Sequence, residues 1–150
     1  MTTILIIGIL GAIISIVVGM FWYSDKTPMG KWHMQSMGFD QLSPEERARL
    51  RAEAASGMWK QFSAQTLLSL ITALFIGAVA SFSVQNGAPA SSVLYYIPAI
   101  WFAFTVPLVG QSLLWGGSKG ALAWKRFFSD ILSNLLTYLL VALIAMMLVS

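Results

Sequence analysis

The stretch ILIIGILGAIISIVVGMFW, residues 4–22, holds no charged side chain. At a rise of about 1.5 Å per residue it can cross the roughly 30 Å hydrocarbon core of a bilayer. It has no basic leader, its apolar core is too long for a cleaved signal, and no small-residue cleavage site followed by a soluble domain appears. It therefore reads as a retained transmembrane helix. Working outward, three more runs qualify. Residues 58–82 carry only Lys60 near their start, residues 93–115 are uncharged, and residues 127–149 carry only Asp130. The expected fold is all-α: one membrane domain, 1–150, built as a bundle of four transmembrane helices at about 4–22, 58–82, 93–115 and 127–149.

Composition agrees. The chain is 57% hydrophobic and 10% charged, with a mean hydropathy of +0.75. Soluble domains carry roughly 25% charged residues, so much of this surface must face lipid. The basic balance, with pI near 9.5, reads as membrane orientation rather than nucleic-acid binding. No cysteine is present, which excludes disulfides, thiol chemistry and thiolate metal ligation.

The connections differ in charge. Residues 23–57 hold Lys26, Lys31, Arg47, Arg49 and Arg51, with Lys60 just beyond; residues 116–126 hold Lys119, Lys125 and Arg126. The middle connection, SVQNGAPASS at 83–92, is uncharged and turns at Asn86-Gly87 and Pro89. All cations thus share one side, which the positive-inside rule assigns to the cytoplasm, leaving both termini outside in a cell membrane. Within the long connection, SPEERARLRAEAASG suggests a short cytoplasmic helix at about 44–56. Ser43 is its N-cap, Pro44 its first residue, and Glu46 completes a capping box.

Helices in lipid approach through small residues. Gly11, Ser15 and Gly19 recur every fourth position in the first span, with Gly8 and Ala12 beside them. Ser69, Ala73, Gly77 and Ser81 do the same in the second. These faces are expected to meet within a subunit or across a dimer. In the third span Pro107 is expected to leave a backbone carbonyl without its usual partner and to kink the helix. In the fourth, Asp130, Ser133, Asn134 and Thr137 share one face, with Tyr138 at its edge. A polar stripe must avoid lipid. With Gln65, Gln111 and Ser112 at similar depth, it could line a shallow pocket open to the cytoplasm, or simply bond between helices. Asp130 also lies one turn after Arg126, an ordinary ion-pair spacing.

GMFWYSDKTPMGKWHMQSMG, residues 19–38, gathers aromatics and methionines where the first span ends. Trp22, Tyr23 and Trp32 suit headgroup depth, and Lys31 can extend toward anionic headgroups; together they read as interface anchors. Met29, His33 and Met37 are spaced for a soft metal, but His33 is the only histidine, and Gly30 and Gly38 disfavour a regular helix here. No metal or other cofactor is expected. Neither a serine triad, nor a phosphate-binding glycine loop, nor an intramembrane carboxylate pair can be assembled.

Two of these stretches carry a family resemblance. FWYSDKTPMGKWHMQSMG (21–38) supplies Trp22, Tyr23, Ser24, Gly30, Lys31 and Gly38; FTVPLVGQSLLWGGSKGALAWKRFF (104–128) supplies a proline-containing third helix and a basic turn. In these and in overall layout the chain resembles a family of small bacterial membrane proteins catalogued as domain of unknown function 1761. It departs at Met29, where an aromatic is usual, and at His33, where a tryptophan is usual. The resemblance implies a four-helix integral membrane protein and supplies no activity or catalytic residue. From the residues themselves, the expected function is that of a non-enzymatic membrane subunit or scaffold. It would contact membrane lipids and form a homo-oligomer, or join a membrane complex, through the small-residue faces. The alternative is a carrier or binder of small molecules or lipids using the Gln65, Gln111, Asp130 and Asn134 region; a membrane enzyme is the third.

Overall fold

The computed structural model describes residues 1–115 and 120–150, except for the side chains of residues 51, 54–58, 61 and 115. Lys119 lies outside the described residues, as do the side chains of Arg51, Met58 and Trp115. Among the described residues there are helices and no strands. They are α1 (Thr2–Trp22), α2 (Pro28–Ser36), α3 (Pro44–Gln85), α4 (Val93–Ile100), α5 (Val106–Trp115) and α6 (Ala121–Val149). Short 3-10 turns occupy Phe39–Gln41 and Ala90–Ser92, and π winding over Trp101–Thr105 joins α4 to α5.

Four segments are long and apolar enough to cross a membrane: Thr2–Trp22, Phe62–Gln85, Ala90–Leu114 and Ala121–Val149. Their outer faces are apolar as well. Leu5, Ile9, Ile13 and Val17 of α1 are each more than half exposed. A continuous apolar stripe of this kind would be an aggregation site in water and is the expected lipid face in a bilayer. The chain has the build of a multi-pass membrane protein.

The segment expected as a separate helix at 44–56 is instead the first part of α3, which runs unbroken for 42 residues into the second span. Its start follows the sequence closely: the Ser43 hydroxyl accepts the Glu46 N–H at 3.2 Å, and the Glu46 carboxylate accepts the Ser43 N–H at 2.8 Å. Between there and Phe62 stands no proline. One glycine in a helix interior costs only about 1 kcal/mol, too little to stop cooperative winding already supported on both sides. The fourth helix likewise begins earlier than its apolar span, at Ala121, because Leu122, Ala123, Trp124, Lys125 and Arg126 can all extend a helix whatever their polarity. α2 is a helix that glycine content argued against. Thr27 caps it, Pro28 occupies its first turn, and Gly38 takes the left-handed conformation (φ 74°) after its end.

The disturbance at Pro107 takes the form of a wide turn. The Val106 N–H bonds to the Trp101 carbonyl, five residues back, just ahead of the missing proline donor. Within that turn the Trp101 indole N–H reaches the Ile131 carbonyl of α6 at 3.1 Å.

The core lies at the end of the bundle away from the basic connections. Ile7 of α1, Ala73, Ile76 and Ala80 of α3, Val93 and Ile97 of α4, and Val141, Ala142 and Ala145 of α6 are buried together. Small residues set the spacing. A Cβ added to Gly11 would fall 2.4 Å from the Ala73 Cβ, and one added to Gly77 would fall 3.2 Å from Ile7. The two small-residue faces therefore meet inside the chain at this end, holding α1 and α3 close.

Candidate functional site

At the opposite end the helices part, and the stretch after α1 fills the space. Thr27 organises it. Its hydroxyl lies 2.7 Å from the Trp22 carbonyl and 2.9 Å from the Ser24 carbonyl, and accepts the Gly30 N–H at 3.0 Å. Gly30 is pressed onto the chain it follows: an added Cβ would sit 1.9 Å from the Ser24 carbonyl oxygen. No side chain fits there. This clamp folds α2 back so that it rests on the first turns of α6.

The aromatic residues at the end of α1 then bond to α6. The Trp22 indole N–H donates to the Ser129 hydroxyl at 3.0 Å, and the Tyr23 hydroxyl donates to Asp130 Oδ1 at 2.7 Å. Arg126 Nε stands 3.7 Å from Asp130 Oδ2. The His33 ring tilts against Tyr23 with centroids 5.1 Å apart, and its buried Nδ1 has no hydrogen-bond partner among the described residues. Lys125 lies over the Trp32 ring at 5.6 Å, while Lys31 is exposed. Burial, followed by the hydrogen bond and charge of Asp130, pushes the Tyr23 hydroxyl well above its ordinary range. Burial, followed by the Arg126 charge, pulls His33 below the usual imidazole value, and Asp130 opposes this. Besides any contact with headgroups, Trp22 and Tyr23 thus use their polar atoms to join α1 to α6. Two adjacent donors meeting two adjacent acceptors, Ser129 and Asp130, was the available signal; it becomes informative only when antiparallel α1 and α6 are known to be neighbours.

Behind this cluster a cleft of about 790 Å³ extends between α1, α3, α5 and α6. Of the six residues that the sequence suggests for a polar pocket, Gln65, Ser112, Asp130, Asn134 and Thr137 line it. Gln111, one residue before Ser112, is exposed and not part of the lining. Ser15, Gly19 and Ser69, from the small-residue faces, also line the cleft, whereas Gly11, Ala73 and Gly77 belong to the closed end and Ser81 is half-buried near it. Ser133 and Tyr138 complete the polar stripe of α6, and Tyr23 and His33 stand at the mouth. The apolar wall comes from Ile16, Met20, Phe62, Leu68 and Val109.

α3 and α5 both pack against α6 and have little contact with each other. Both contribute to the wall of the cleft, α3 through Phe62, Gln65 and Leu68 and α5 through Val109 and Ser112. Its volume falls within the range of small-molecule sites, and its mixture of many weak polar groups with an apolar wall suits an amphiphile. Among the described residues no three His, Asp or Glu side chains gather as metal ligands would. Comparison with protein-family models, with curated proteins and with solved structures found no match to this chain.

Proposed function

We propose that this protein binds a small amphiphile in the cleft between α1, α3, α5 and α6, working as a carrier or binder in the cell membrane. In this reading the basic connections face the cytoplasm, the termini face outward, and the cleft opens on the cytoplasmic side. The orientation is supported by the placement of every Lys and Arg in the first and third connections or, for Lys60, just beyond the first. The binding function is supported by one observation above all. A 790 Å³ space with hydroxyl, amide and carboxylate groups penetrates a bundle whose outer faces are apolar. Polar side chains at that depth are costly unless they serve a partner or a guest. The subunit or scaffold reading drew on the small-residue faces, of which Gly11 and Gly77 find their partners within the same chain while Ser15, Gly19 and Ser69 border the cleft. The likeness of residues 21–38 and 104–128 to the family of domain of unknown function 1761 is part of the same proposal.

Gly19 offers the test. It lines the cleft, and a Cβ built there meets nothing within 4 Å, so Gly19→Leu fills the space without forcing helices apart. The protein is placed in phosphatidylcholine nanodiscs with dodecylammonium, dodecyltrimethylammonium, dodecyl sulfate or dodecyl maltoside, and adducts are counted by native mass spectrometry. At least one amphiphile should give a saturable one-to-one adduct that Gly19→Leu abolishes. Adducts indifferent to Gly19 throughout the panel rule the reading out.

A further inference from the structure

The hydroxyls of the cleft are not neutral in what they offer. Ser15 donates its only proton to the Gly11 carbonyl at 2.9 Å, Thr72 to Leu68 at 3.0 Å, Ser112 to Val109 at 2.7 Å, and Thr137 to Ser133 at 2.9 Å. A carbonyl can only accept, so in each case the direction is certain, and what remains for the cleft is oxygen lone pairs. Asn134 follows the same pattern: one amide N–H goes to the Asp130 carbonyl at 3.0 Å, leaving its Oδ1 available. At the neck, Asp130 Oδ1 receives the Tyr23 proton, while Arg126 Nε stands 3.7 Å from Oδ2, beyond hydrogen-bond length. The donors left over are one or two amide N–H groups, the Ser69 and Tyr138 hydroxyls, the Ser133 hydroxyl when it is not turned to Tyr23, and, at the mouth, a His33 ring N–H and the half-exposed Arg126. The spare acceptors of Ser15, Thr72, Ser112, Asn134 and Thr137 line the inner walls, and Asp130, the one formal negative charge of the lining, stands at the neck beside the positive Arg126.

We propose that the cleft selects a guest bearing a protonated primary amine, with Asp130 as its counter-charge and the inward row of hydroxyl and amide oxygens as its further acceptors. This rests on the amphiphile reading above and names its headgroup. An ammonium carries three donors and no acceptor, so it needs several oxygens once water is removed. Its apolar body lies along Met20, Phe62, Leu68 and Val109. Arg126, with its side chain 43% exposed, turns toward water when the ammonium takes its place beside Oδ2. Two sources share this chemistry: a free lipophilic amine, and the amino headgroup of a membrane lipid.

The comparison of dodecylammonium with dodecyltrimethylammonium isolates the N–H donors, because the two share charge and chain. In phosphatidylcholine nanodiscs the ammonium should bind about tenfold more tightly or better, as expected for charged hydrogen bonds. Asp130→Asn keeps an acceptor for Tyr23 and should weaken the ammonium by about tenfold while leaving dodecyl sulfate no weaker. Thr137→Val preserves shape and removes one acceptor; it gives a second reading, a loss of roughly threefold to tenfold, should Asp130→Asn not fold. Replacing part of the lipid with phosphatidylethanolamine identifies the source: competition marks the lipid headgroup, no competition marks the free amine, and either is consistent with the ammonium. Equal affinity for the two cations overturns the proposal. A Gly19-dependent adduct with sulfate or maltoside but not with ammonium removes this inference and leaves the amphiphile site standing; no Gly19-dependent adduct at all removes both.

Discussion

Three glycines that look alike in the sequence meet different surroundings. Gly30 faces a carbonyl oxygen of the backbone, Gly38 holds φ at 74°, and Gly19 borders open space. Gly30→Ala should therefore lower stability by about 1–3 kcal/mol, Gly38→Ala by about 1–2 kcal/mol, and Gly19→Ala should be neutral within about 0.5 kcal/mol, all measured by thermal unfolding in one detergent. An unaltered melting temperature for Gly30→Ala would contradict the clamp at Thr27. Tyr23→Phe removes the hydroxyl that donates to Asp130 Oδ1 and should cost about 1–3 kcal/mol. The raised Tyr23 also gives a pH signature. Below pH 10 both folded and unfolded chains keep the phenol proton; above it the unfolded chain loses its proton first, so stability falls as pH rises. Tyr23→Phe should flatten that alkaline decline. His33 works at the other end. Its lowered value means that the unfolded chain takes up a proton first as pH drops below 6.5, so acid weakens the fold. A melting temperature that falls between pH 7 and pH 5 in the wild type but less in His33→Asn would bear this out. None of these contacts was legible in the sequence, because each joins residues about a hundred positions apart or depends on a turn only Thr27 and Gly30 together define.

At the scale of elements, legibility followed the locality of the signal. The capping box at Ser43 and Glu46 lies within four residues and is found as read. Ser43→Ala should cost about 1 kcal/mol of helix stability, seen as faster amide exchange in the first turns of α3; unchanged exchange would mean the cap contributes nothing. The polar stripe on α6 was equally visible, since a period of 3.6 residues fixes which side chains share a face. What periodicity could not supply was the fate of the small-residue faces. The same four-residue spacing makes contact at Gly11 and Ala73 and lines an opening at Ser15, Gly19 and Ser69. Gly11→Leu should accordingly impair folding, whereas Gly19→Leu should fold and fill the cleft; equal yields of folded protein from both would undo the distinction. Nor could composition place helix ends, because a span is counted by apolarity and a helix by backbone bonding. α3 and α6 both outrun their apolar segments at the basic end for that reason.

The whole molecule is a bundle sealed at one end and spread at the other. Buried alanines and glycines draw α1, α3 and α6 together where no charge lies, while aromatic residues and α2 brace the spread end. The contact between Lys125 and Trp32 brings the first and third connections together at one end of the bundle. Variants retaining only Lys31 or only Lys125 should be labelled by an impermeant amine reagent from the same face of sealed vesicles, and labelling from opposite faces would reject the arrangement. One feature of this scale has a mechanical meaning. α3 is a single rod about 60 Å long, with Arg47 near its outer tip and Gln65, Ser69 and Thr72 in the wall of the cleft. Packed on α1 at Gly77, the rod has two arms of unequal length, and a displacement at the tip of the longer one would move the wall that Gln65, Ser69 and Thr72 give the cleft.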